Sequence, residues 1–220
     1  NLIKPEQFEI YNLDWLKPDP EGWLRLDFAQ TSRRPVWLQT QQSKIRLEVN
    51  LQQAIDIKFF WCQLIETQKT QNLQIVFNLK HPNCKLGIYN FYYLTQQQQV
   101  SNQLKINHWQ PNCQSYTLSK GVLQDQAQAW FSGKIFVDPQ AHQTDAKLSN
   151  HTILLSDDAK IESKPELEIF CDDVKCTHGA TIGSLDKSQV FYLQTRGVSK
   201  EVRERLLIEG FLQEFINLTS

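Results

Sequence analysis

Three stretches decide the fold of this chain: IFVDPQAHQTDA at residues 135–146, ILLSDDAKIESK at 153–164 and IFCDDVKCTHGA at 169–180. Their starts are 18 and then 16 residues apart. Each opens on three apolar or small residues, turns through a Ser/Asp-rich corner, and resumes at a small apolar position. Those positions are Ala141, Ala159 and, after a one-residue deletion, Val174. A strand-corner-strand unit this short cannot bury its own inner face, whereas stacked units bury one another. The repeat therefore predicts a parallel β-helix. Ile135, Val137, Ile153, Leu155, Ile169 and Cys171 would share one parity and point into the stack. An antiparallel sandwich with chance similarity among its strands is the competing reading.

Working outward toward the N-terminus, the period stays at two. KIRLEVNL places Ile45, Leu47, Val49 and Leu51 on one face, and AIDIKFFWCQLIE, LQIVFNLK, KLGIYNFYYL and SNQLKINHWQ follow as short runs rich in β-branched and aromatic residues. The polar tract Gln96–Gln99 reads as a loop. Residues 1–44, with Pro5, Pro18, Pro20 and Pro35, read as a lead-in holding a few strands such as Trp23–Phe28. The expected organisation is a lead-in over 1–44, a β-helix core over 45–183 and a helical domain over 184–220.

Toward the C-terminus the period changes. Asp186 suits an N-cap, with Gln189 three residues on, and Gly197 after Arg196 suits a helix stop. Ser199 caps a second helix with Glu201 in its first turn. Val202, Leu206, Leu207, Phe211, Phe215 and Ile216 recur at three- and four-residue steps along one stripe. The fold class is thus mainly β, a solenoid with a short C-terminal α-helical hairpin.

Composition excludes several functions. The net charge of −1 gives no electrostatic case for nucleic acid or an anionic membrane. No apolar run is long enough to span a bilayer, and NLIKPEQFEI lacks a signal core. Five scattered cysteines, Cys62, Cys84, Cys113, Cys171 and Cys176, point to a reducing compartment. Methionine is absent even from position 1, so an initiator or further segments are expected to be missing from the sequence. There is no G-x-S-x-G, no phosphate-binding G-x-x-x-x-G-K-[ST] and no G-x-G-x-x-G.

The densest set of reactive residues is CDDVKCTHGA, 171–180. Residues i and i+2 of a strand face one side, so Cys176 and His178 would point together with Thr177 opposite. One Cys and one His are half of a tetrahedral site, and the other ligands would come from a neighbouring rung or another chain. Lys175 and His178 beside Cys176 would favour its thiolate. A buried free Cys with a hydrogen-bonded corner His is the alternative. Asp172 and Asp173 face opposite sides of a strand and fit a corner better than a shared proton or metal. His81, His108, His142 and His151 lack motif spacing and read as surface or packing residues.

Residues 165–197, PELEIFCDDVKCTHGATIGSLDKSQVFYLQTRG, closely resemble the C-terminal signature of the SufB/SufD family of iron–sulfur cluster assembly scaffolds. The form KCTHGAT is nearest the SufD branch. The resemblance extends over about residues 114–218. It implies a right-handed parallel β-helix followed by a small helical domain. It also implies a non-enzymatic scaffold subunit that pairs with a SufB-like paralogue through the β-helix ends. The C-terminal helices would bind a SufC-like ABC ATPase, with Phe191, Tyr192, Arg196, Leu206, Phe211 and Phe215 as contacts. No cofactor would be held stably. A transient iron–sulfur cluster would form at the paralogue interface, with His178 as a shared metal ligand and Cys176 beside it. Alone, the chain would be able to homodimerise, and its location would be the cytoplasm or a plastid stroma. A polysaccharide-binding β-helix or lyase is the alternative function, and it would need carboxylates or a basic residue along a concave strand face.

Overall fold

The computed structural model describes residues 7–29, 34–64 and 70–218 of the chain. Pro5, and Ile65 and Glu66 at the end of the AIDIKFFWCQLIE run, lie outside the described residues. The first strands are β1 (Glu9–Asn12), β2 (Leu24–Phe28), β3 (Val36–Gln39), β4 (Lys44–Leu51) and β5 (Asp56–Leu64). They continue through β6 (Thr70–Leu79), β7 (Lys85–Leu94), β8 (Gln99–His108) and β9 (Gln114–Leu123). The last four are β10 (Gln128–Val137), β11 (Thr144–Leu154), β12 (Lys160–Ile169) and β13 (Val174–Gly183). Two helices follow, α1 (Lys187–Thr195) and α2 (Lys200–Leu218).

Odd strands form one sheet in the order β1-β3-β5-β7-β9-β11-β13, even strands the other, and every pairing is parallel. The chain therefore alternates between two sheets as it climbs, which is the expected β-solenoid. The pairings β2 to β4 and β3 to β5 carry both sheets across residue 44 into the lead-in.

The repeat that announced the solenoid is a half-turn. Ile135 lies in β10, Ile153 in β11 and Ile169 in β12, so successive segments sit on alternate sheets. True stacking partners are a full turn apart: Ile135 registers with Leu167, and Val137 with Ile169. This corrects part of the inward set. Ile135, Val137 and Cys171 are buried in the core. Ile153 instead takes the outer parity of β11, because Leu154 is the residue that packs inside against Leu123. Leu155 lies beyond the strand. The corner into β11 is one residue longer than the corners into β7 and β9, which shifts the phase.

The tube interior is apolar at one side, with Phe28, Phe59 and Phe77 stacked edge-on at 5.4 and 5.0 Å between ring centroids. Elsewhere it is polar and largely hydrogen-bonded, although Asn102 Oδ1, His108 Nδ1 and Thr117 Oγ1 are buried without a partner. Asn102 donates to Gln63 Oε1 at 2.8 Å. Tyr92 rises over the bare backbone of Gly121 and meets Thr152 Oγ1 at 3.1 Å. Corners turn on residues in the left-handed region, Asn83 at φ 63° and Asn112 at φ 60°, where Asn is among the residues best tolerated. The Gln96–Gln99 tract is a corner loop that ends as β8 begins.

The helices follow the expected signals. Asp186 caps α1 by accepting from the backbone N–H groups of Ser188 and Gln189, and Gly197 turns out of it at φ +75°. Ser199 Oγ accepts from Val202 N at 3.4 Å at the start of α2. Helix α2 packs on the outer flank of the odd sheet. Phe215, 3% exposed, inserts among Phe8, Phe60, Tyr89 and Leu118. That contact contributes roughly 1.5–3 kcal/mol of apolar burial. Lys120 reinforces it, donating to Phe211 O at 2.7 Å and pairing with Glu214 at 3.2 Å. Helix α1 has no buried residue and rests on α2. No helix of the described residues is long and apolar enough to cross a membrane.

Candidate functional site

The CDDVKCTHGA stretch forms the last corner and the last strand of the odd sheet. Cys171 closes the corner, buried, with its thiol 3.3 Å from His142 Nδ1. Asp172 and Asp173 are exposed corner residues, and Asp173 accepts from Gln143 N at 2.7 Å through its carbonyl. The corner role expected for them is the one they have.

Strand β13 pairs with β11 on one side only, and among the described residues nothing stacks beyond it. Cys176 registers with Ala146 and His178 with Leu148, both interior residues. Cys176 and His178 therefore face the same, inner side, as their spacing predicts. Because the tube is open there, Cys176 is half-buried against the core and His178 is exposed on the rim. Thr177 shares the outer face with Lys147.

The expected thiolate is not favoured. Burial pushes the Cys176 thiol up, opposed only by a backbone hydrogen bond from Ala146, while Asp145 and Cys171 push it further up. The strand pleat explains the difference: Lys175 projects to the opposite side from Cys176 and leaves burial in control. Among the described residues no three His, Cys, Asp or Glu side chains converge to hold a metal. Cys176 and His178 are two side chains on one face, fewer than a metal site needs.

Around them the open end is apolar. Its inner side carries Ile161, Leu167, Val174 and Ile182, and Ile169 and Phe170 are 38% and 57% exposed. Phe170 prolongs an aromatic row on the even sheet, 5.8 Å from Phe136, which is 5.0 Å from Trp109. Two of the three carboxylates of β12, of the kind that a carbohydrate-cleaving site would use, are engaged otherwise. Glu166 and Glu168 pair with Lys134 at 3.4 and 3.3 Å.

Two histidines acquire partners that spacing did not show. His142 meets Cys171, and His151 Nδ1 lies 2.6 Å from Thr181 Oγ1. His108 is a packing residue, wholly buried, 2.9 Å from Ser115 Oγ and held down to about pKa 3 by burial.

The six helical candidates divide by exposure. Phe191, Tyr192 and Leu206 are exposed, and the Arg196 guanidinium lies 5.4 Å over the Tyr192 ring. Tyr192 also lines a shallow groove of about 340 Å³ with Ser188, Gln189, Leu193 and Leu207. Phe211 is half-buried beneath Lys120, at 4.8 Å, and Phe215 is buried, so both use their apolar surface within the chain. The surplus apolar residues pack on the flank of the solenoid, whereas its end stays uncovered.

Comparison with known proteins matches this architecture. The family profile "SUF system FeS cluster assembly, SufBD core domain" covers residues 38–211. The iron–sulfur cluster assembly protein SufD of Escherichia coli is 38% identical over 109 residues, half of this chain and 26% of the relative. SufD of Bacillus subtilis is 35% identical over 113 residues, 51% of this chain and 26% of the relative. A SufBD family iron–sulfur cluster assembly protein of Synechocystis is 41% identical over 114 residues, 52% of this chain and 25% of the relative. The chain spans about a quarter of the length of these curated relatives in each match. With the profile covering most of its length over a parallel solenoid and its C-terminal helices, the chain belongs to the SufBD core family of the SUF system.

Proposed function

We propose that this chain is a SufD-like, non-enzymatic scaffold subunit of a SufBCD-type iron–sulfur cluster assembly complex. The observation that carries the reading is the uncovered last turn, which presents Cys176 and His178 inward at an apolar rim. A SufB-like paralogue stacked there would bury Ile169, Phe170 and Ile182 and bring the ligands that two side chains cannot supply. The cluster is cargo, formed transiently between subunits. His178 offers an imidazole nitrogen at the rim, and Cys176 a protonated thiol beside it. Without the paralogue, a second copy of the chain would cover the same surface as a homodimer. A SufC-like ABC ATPase would dock on the exposed hairpin through Phe191, Tyr192, Arg196 and Leu206, with Phe211 and Phe215 fixing that hairpin to the solenoid. Five free cysteines suit a reducing cytoplasm or plastid stroma.

The test is co-expression with SufB-like and SufC-like partners, followed by gel filtration and iron and sulfide analysis. One complex containing all three proteins is expected. His178→Ala should leave the complex intact and cut cluster yield sharply, with Cys176→Ala less harmful. A chain that elutes alone, or normal cluster yield with His178→Ala, would refute the reading.

A further inference from the structure

The sequence Pro-Asn-Cys occurs at residues 82–84 and again at 111–113. In both, the left-handed Asn turns the chain and delivers the cysteine to the inside, and Cys84 and Cys113 are each fully buried. Gln114 N donates to Cys84 O at 2.8 Å, so the two cysteines sit side by side on hydrogen-bonded neighbouring turns. Such neighbours are about 4.8 Å apart, inside the roughly 4.4–6.8 Å Cα range that a disulfide spans.

Each thiol points at a carbonyl of the preceding turn, Cys84 Sγ at Gln53 O, 3.1 Å, and Cys113 Sγ at His81 O, 3.3 Å. The neighbouring Cys113 and nearby backbone groups hold the Cys84 thiol down at about 6, while Cys84 and burial push the Cys113 thiol up. The pair thus gives up its first proton readily and its second with difficulty, as two coupled neighbouring groups do. The other cysteines lack this arrangement. Cys62 is pushed up to about 12 by burial, Cys171 is tied to His142, and Cys176 stands at the rim.

We propose that Cys84 and Cys113 form an oxidative modification site, closed to a disulfide by hydrogen peroxide. The Cys84 thiolate attacks one peroxide oxygen, the O–O bond breaks, and the hydroxide released takes up a proton to leave as water. The Cys113 sulfur then attacks the sulfenic sulfur. The S–S bond forms, the S–O bond breaks, and the second water leaves with the Cys113 proton. Two thiols are oxidised and one peroxide is reduced. The product ties one turn to the next across a corner, inside the tube and away from the rim.

The intact, folded chain is treated with hydrogen peroxide, denatured in iodoacetamide, digested and mapped by mass spectrometry. The expected result is a crosslinked pair of peptides carrying Cys84 and Cys113, lighter by two hydrogens and separated again by dithiothreitol. Circular dichroism should be unchanged. Both cysteines alkylated after Cys176 has been oxidised would overturn the proposal. So would sulfinic acid at Cys84 with Cys113 still alkylated, or linkage of either residue to Cys62, Cys171 or Cys176.

Discussion

The turn formed by β8 and β9 and the turn formed by β12 and β13 have the same strand lengths and parallel pairing, but different fates. In β8 every inward residue from Val100 to His108 is buried; in β12 the corresponding Ile161, Leu167 and Ile169 are partly or well exposed. The alternation in β12 is no weaker. Among the described residues no turn stacks beyond it, and a solenoid strand is buried by its neighbours on both sides. The exposed apolar residues of the last turn are therefore made by the same pattern that makes core elsewhere.

The sharpest way to break this comparison is to truncate the same kind of residue in both places. Leu104→Ala, in the closed interior of β8, should cost about 2–5 kcal/mol, whereas Leu167→Ala in the open turn should cost about 1 kcal/mol. Urea unfolding of both variants checks it, and equal losses would mean that the end is covered in solution.

Next comes the hairpin. Phe215→Ala removes the buried anchor of α2 and should cost about 3 kcal/mol. Tyr192→Ala and Leu206→Ala should stay within about 0.5 kcal/mol while weakening ATPase capture in a pull-down.

A smaller effect concerns acid. Burial raises the Glu214 carboxyl, but hydrogen bonds from Lys120 and Tyr116 and the charges of Lys120 and His151 outweigh it and leave it below its ordinary 4.5. A lowered folded value means that this contribution is present above pH 4.5 and is lost as pH falls through the folded value. Stability measured from pH 6 down to about pH 3 should fall, and Glu214→Gln should flatten that part of the curve.

Two glycines draw the same contrast between interior and rim. Gly121→Ala would drive a methyl into the Tyr92 ring and should cost about 1–3 kcal/mol. Gly179, with nothing near its missing Cβ, should tolerate Ala within about 0.5 kcal/mol. His178→Ala should likewise change stability by less than about 1 kcal/mol. A large loss from His178→Ala in a thermal melt would make His178 a structural residue.

Much of this was legible in the chain itself. Strand runs, the Asp186 cap, the Gly197 stop and the pairing of Cys176 with His178 all follow from local rules that tertiary structure left alone. The phase of the repeat did not follow, because a half-turn and a full turn look alike when both begin with three apolar residues. The twin Pro-Asn-Cys corners carry the full-turn period and were the available signal. The state of the Cys176 thiol was hidden as well, since adjacency to Lys175 in sequence is separation in a pleated strand. The docking place of α2 could be sought in outward-parity aromatics such as Phe60 and Tyr89, which serve no purpose on a solvated sheet face.

Tyr92 gives the solenoid a property that stacking alone does not. Its ring passes the glycine of β9 and its hydroxyl reaches Thr152 on β11, so it couples two turns that are not neighbours. A chain of units linked only to adjacent units melts from its ends one unit at a time. A bond that skips a unit makes opening of β11 disturb β7 directly, and merges three turns into one cooperative block. Hydrogen exchange should then show β7, β9 and β11 opening with a common free energy, separated by a step from the freely fraying β13.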